Sequence, residues 1–92
     1  MQRLNYPLKS YIKAVEEMVR RKGLSHLKWK ETRGSIIRFE LFEKGEKEPS
    51  DFWTVHHEHN RKKIIWSKED YRKAAVRLNC TMEEFIEVLD SF

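Results

Sequence analysis

Segment 54–63, TVHHEHNRKK, holds three of the chain's four histidines, and Arg61, Lys62 and Lys63 follow almost at once. An imidazole titrates near neutrality, so it can take a proton, give one or ligate a metal. Cleaving RNA through its 2′-hydroxyl needs one group to accept a proton and another to donate one, with cations nearby to stabilise the phosphorane. These residue types permit that chemistry without a metal. In a strand, side chains alternate, so His57 and His59 share a face with Trp53 and Val55, while His56 points the other way with Thr54 and Glu58. His57 and His59 also have a metal spacing, but the remaining histidine, His26, lies a strand away and no carboxylate is spaced to complete a ligand set. Neither a metal nor a cofactor is expected. The plain alternative is a half-exposed strand end whose histidines hydrogen-bond locally.

Basic residues interleave with aromatics: Lys28, Trp29, Lys30, Arg33 and Arg38, then Arg61, Lys62, Lys63, Trp66 and Lys68. Nucleic-acid surfaces combine positive charge with groups that stack on bases. The expected phosphate contacts are Lys28, Lys30, Arg33, Arg38, Arg61, Lys62 and Lys63. Trp29 alternates with Leu27 on the prospective buried face, so it is expected to pack rather than stack. Arg72, Lys73 and Arg77 fall on the polar side of a later helix, as phosphate contacts or as its wetted face. Cys80 has no histidine nearby to activate it and reads as a small, half-buried hydrophobe. No glycine-rich phosphate loop or Cys–His zinc spacing is present.

The elements that must position these groups are legible in the periodicity. Pro7 suits a first helical position. Leu8, Tyr11, Ile12, Val15 and Val19 recur at helical spacing, ending in the cations Arg20, Arg21 and Lys22 and a Gly23 cap. Alternating Leu27 and Trp29 predict a strand, Arg33-Gly34 a turn, and SIIRFELFE a second strand with Ile37, Phe39 and Leu41 on one face. EKGEKEPSD is a polar turn, FWTVHHEH a third strand, NRKK a turn and IIW a short extended piece. Ser67 opens a second helix with Asp70 as a weak capping partner. Thr81 opens a third with Glu84 in a full capping box. The expected fold is α+β: a helix, a three-stranded antiparallel sheet, then one or two helices, all packed on one sheet face, with the other face open to solvent or a ligand.

Ninety-two residues make one domain, 1–92, with too little volume for a deep pocket. The apolar runs are too short to span a membrane, and the opening MQRLNYPLKS lacks the apolar core of a secretory signal. One cysteine cannot form an intramolecular disulfide, so a reducing, cytoplasmic location is expected. The net charge of +4 conceals segregation: residues 1–39 carry +7, residues 40–58 carry −4, residues 59–80 carry +5 and residues 81–92 carry −4. Such a field can steer a polyanion to one side. The acidic segments 43–51 and 81–92 offer a third reading, a module that docks a protein partner.

The element order and three stretches, VRRKGL, RGSIIRF and WTVHHEH with TMEEFIEVL, resemble the HicA-type toxins of toxin–antitoxin systems, over roughly residues 8–89. The resemblance implies a fold similar to the double-stranded-RNA-binding domain, an RNA-facing surface, and activity as an mRNA endonuclease neutralised by an antitoxin partner. In that family a histidine follows Gly-Ser, whereas here Ile36 follows Gly34-Ser35. The fold and RNA binding therefore carry over. Catalysis, if the domain cleaves RNA, falls to His57 and His59, with His26 next.

Overall fold

In the computed structural model, which describes residues 4–23, 26–59 and 61–92, the first helix, α1, runs Leu8–Lys22. Leu8, Tyr11, Ala14, Val15, Met18 and Val19 form its buried stripe. Gly23 closes it at φ 69°, ψ 24°, donating its N–H to the carbonyls of Val19 and Arg20. Pro7 is not the first helical residue. It is the extended N-cap, and Tyr6–Pro7 form a two-residue strand, β1.

Three strands follow: β2 (His26–Arg33), β3 (Ile36–Phe42) and β4 (Asp51–His56), paired antiparallel in the order β2-β3-β4. The α+β architecture expected from periodicity is the one observed. Ile37, Phe39 and Leu41 on β3 and Trp53 and Val55 on β4 are buried under the helices, and the Phe39 and Trp53 rings stack at 5.1 Å. The short piece Ile64–Ile65, β5, pairs antiparallel with β1 rather than with the main sheet. It is followed by α2 (Lys68–Arg77) and α3 (Met82–Leu89). Thr81 and Glu84 form the expected capping box on α3. On α2 the expected weaker one is absent: the Ser67 side chain makes no cap bond, and Asp70 is turned elsewhere.

The core joins these elements through polar contacts as well as apolar ones. Tyr11 Oη donates to the Asp70 carbonyl at 2.7 Å and accepts from Trp53 Nε1 at 3.0 Å, so α1, α2 and β4 meet at one phenol. Burial pushes the Tyr11 phenol well above its ordinary pKa, because its charged form has no water to solvate it there. Among the described residues, no helix is long and apolar enough to cross a membrane.

The two edges of the sheet are treated differently. Along β4, α2 supplies three polar side chains to the outward backbone groups. Asp70 Oδ2 accepts from the His56 N–H at 2.9 Å, Lys73 Nζ donates to the Thr54 carbonyl at 3.2 Å, and Arg77 Nε donates to the Phe52 carbonyl at 2.9 Å. Seven residues of helix rise about 10 Å and four of strand about 13 Å, so the spacings of 70, 73 and 77 and of 56, 54 and 52 nearly match. This edge is closed to further pairing. Lys73 and Arg77 are thus committed to the sheet, not to a wetted helix face. On the other side, β2 has its whole length solvent-exposed save for the half-buried Leu27. Trp29, expected to be core, is 44 % exposed, because the helices reach β2 only near Leu27, which packs against the core, and leave Trp29 uncovered.

Candidate nucleic-acid face and histidine basin

Of the seven cations expected to meet phosphate, five divide between two places. Lys28, Lys30 and Arg38 lie on the open face of the sheet, Lys30 directly opposite Arg38 across the β2–β3 ladder. The same face carries Phe42 and Phe52, which alternate with the buried residues of β3 and β4. The Arg38 guanidinium lies 3.9 Å from the Phe52 ring centroid and the Lys28 ammonium 5.2 Å from that of Phe42. Each cation is held over an aromatic ring by the ring's negative face. Phe52 keeps 48 % of its surface exposed, so a planar group can still reach it. One carboxylate, Glu40, sits among these residues, and Arg38 Nε pairs with it at 3.1 Å. Sequence alternation correctly separates this face from the core. The cross-strand pairing that brings Arg38 over Phe52 is set by register, which no single strand reveals.

Arg61 and Lys63 belong to the second place. With Gly34, His57 and His59 they wall a shallow basin of about 500 Å³. It lies beyond the end of β4, between the β2–β3 turn and the loop that leads to β5. Arg33 ends β2 at that turn. Lys62 is exposed in the loop turn with Arg61, and Asn60 of the expected NRKK turn lies outside the described residues.

Three backbone hydrogen bonds pin the loop: the His57 N–H to the Ser35 carbonyl at 3.0 Å, the Glu58 N–H to the Ile64 carbonyl at 2.8 Å, and the Leu8 N–H to the Lys63 carbonyl at 3.0 Å. These bonds end β4 at His56, three residues before the sequence suggests. Lys63 takes φ 52°, a left-handed conformation that side-chain-bearing residues rarely adopt and that the surrounding bonds must hold.

His57 continues the inward alternation of Trp53 and Val55 and is only 7 % exposed. Its Nδ1 lies 2.9 Å from the Glu58 carbonyl, an acceptor, so Nδ1 carries a proton. Its Nε2 is buried and has no hydrogen-bond partner among the described residues. His59 is exposed, its ring centroid 6.4 Å from that of His57. Both histidines line the basin, but regular strand stops before either, so the strand alternation expected to put them on one face does not apply: His57 is buried and His59 exposed.

His26 is not part of this arrangement. It pairs with Phe42 at the opposite end of the sheet, its ring 5.8 Å from the Phe42 ring. Glu31, which reaches Lys63 at 3.3 Å, lies five residues farther along β2, so at ~3.3 Å per residue His26 is roughly 17 Å away. Among the described residues, no group of three or more His, Cys, Asp or Glu side chains could hold a metal. Cys80 is half-buried, and burial raises its thiol pKa, which disfavours the nucleophilic thiolate.

The residues that sequence reasoning missed are Asp70 and Glu31. Asp70 is 3 % exposed and fixes the backbone just before the basin through the His56 N–H. Only its place in an otherwise apolar stripe with Tyr71 and Ala74 hints at burial. Glu31 brings a carboxylate to the basin's rim, and nothing in its local sequence marks it. No family model, curated protein or solved structure matches this chain.

Proposed function

We propose that this domain binds RNA across the open sheet face, with Lys28, Lys30 and Arg38 meeting phosphates and Phe52 meeting a base. The reading is supported by one observation above others. The helical layer covers the side of the sheet that holds Phe39, Trp53 and Val55, and the other side holds three cations interleaved with two aromatic rings. Exposed aromatics can stack only on unpaired bases, so single-stranded RNA is the favoured form. Fluorescence anisotropy with single-stranded and duplex RNA at low ionic strength tests the idea. Binding of the single strand that weakens with salt and with Phe52→Ala is expected. No affinity for either form would remove the proposal.

A second reading is a metal-independent ribonuclease built on His57 and His59. It is favoured by the tautomer of His57: with Nδ1 protonated, Nε2 has the lone pair a general base needs. Arg61 and Lys63 stand by for the phosphorane charge. Cyclic-phosphate products with a bell-shaped pH profile, lost in His59→Asn, would support it. RNA left intact by the pure protein across pH would end it.

A further inference from the structure

The basin at the end of β4 has a composition that the open-face reading does not use. We propose that it is a phosphomonoester site, taking the dianionic phosphate of a nucleotide or of an RNA strand end. Its wall contains Arg61, Lys63, His57 and His59, with no carboxylate among the described residues that line it. Arg61 and Lys63 supply two fixed positive charges, which match the two negative charges of a monoester; a phosphodiester carries one. At about 500 Å³ the basin has room for a nucleotide-sized group.

Two further observations point to a ligand. A carboxylate oxygen of Glu31 already stands 3.3 Å from Lys63 Nζ, so an anionic oxygen is accepted at that spot. Both partners are about half exposed, which makes the pair weak and easily displaced. The other is His57. It is more than nine-tenths buried, its Nδ1 is committed to the Glu58 carbonyl, and its Nε2 has no partner. A buried polar atom left unpaired is costly, and its imidazolium form donates from Nε2 to an anion. His59, exposed on the loop, has its ring 6.4 Å from that of His57 and flanks the same basin. The charged and titratable groups around the basin are His59, Arg61 and Lys63 in its wall with His57, Glu58 next in the chain, and Glu31 of β2 against Lys63. The three backbone bonds and the left-handed Lys63 hold the wall in shape before the ligand arrives.

The experiment is an NMR titration of the intact chain with inorganic phosphate, adenosine 5′-monophosphate and adenosine. Amide and imidazole shifts at residues 34–35 and 57–63 are expected with the two phosphates and not with adenosine. Arg61→Gln removes one charge-assisted contact from an exposed loop without touching the core. It should weaken nucleotide binding about tenfold or more. Lys28→Gln/Lys30→Gln should leave nucleotide binding unchanged, so failure of the open-face reading and failure of this one are separable. RNA oligomers with and without a 5′-phosphate assign the source. A phosphate-dependent gain beyond that of the free nucleotide makes it a strand end, and equal affinity makes it a free nucleotide. An absence of shifts in the basin with either phosphate, or Arg61→Gln binding the nucleotide as well as the parent protein, would overturn the proposal.

Discussion

The sharpest quantitative consequence of the split between face and basin concerns salt. Each phosphate neutralised on a single strand releases counterion, so the logarithm of affinity falls with the logarithm of salt at about 0.7 per contact. The open face offers Lys28, Lys30 and Arg38, which gives a slope of about 2 and a loss of roughly 20-fold between about 50 and 200 mM salt. All seven expected cations acting together would give a slope near 5 and a loss of roughly a thousandfold. The double variant Lys28→Gln/Lys30→Gln leaves one open-face cation, so its slope should drop to about 0.7 and its loss to about threefold. Both lysines are exposed and on β2, away from the buried residues, so the fold should survive. Anisotropy titrations of one labelled RNA over a salt series measure each slope. A steep slope unchanged by the double variant would place the phosphates on other cations and refute the assignment.

Other expectations rest on individual contacts. Glu40→Gln removes the carboxylate paired with Arg38 and should tighten RNA binding several-fold at low salt, read in the same anisotropy assay. Asp70→Ala leaves the His56 N–H without its partner and removes the carboxylate beside Lys73, and should cost about 1–3 kcal/mol in urea denaturation. Asp70→Asn, which keeps an acceptor, should cost less. Thr81→Ala removes the α3 cap and should cost about 1 kcal/mol in the same measurement. In alkali, burial lifts both Tyr6 and Tyr71 to about 12, with the Asp90 hydrogen bond adding to the rise at Tyr6. A folded pKa above the unfolded value of 10 means the protonated form favours the fold. That contribution is complete below pH 10 and disappears as pH rises towards 12. Tyrosinate absorbance and circular dichroism should therefore change together in that window. Tyrosines that ionise at pH 10 while the circular dichroism stays intact would contradict the burial.

Local periodicity carried the helices and the two faces of β3 because each residue's burial there follows from its own neighbours. Leu8 to Val19 bury one stripe of α1, and Ile37, Phe39 and Leu41 alternate inward as their spacing demands. What periodicity could not convey was the width of the covering layer. Leu27 and Trp29 alternate as a half-buried strand should, yet the helices reach β2 only near Leu27 and Trp29 stays 44 % exposed. The two-residue β1 was invisible for a related reason. Tyr6–Pro7 has no period of its own and acquires strand geometry only from Ile64–Ile65, nearly sixty residues on.

The polar residues of α2 show most clearly why a surface pattern underdetermines its use. Lys73 and Arg77 have the spacing of a solvated helix face, and each, together with Asp70, instead satisfies a backbone group of β4. That choice has a consequence for the candidate sites. An edge strand with unsatisfied backbone groups invites another strand, and a helix satisfying them with side chains forbids it. With β4 closed on that side no further strand can pair beside it, and the three loop bonds turn the chain out of the sheet after His57. The turn is what brings His57, His59, Arg61 and Lys63 around a common basin instead of spacing them along a strand. The same closure commits Lys73 and Arg77 to the sheet rather than to an anion. Charge segregation in the sequence located the basic regions, while the assignment of each cation came from which backbone groups needed a partner.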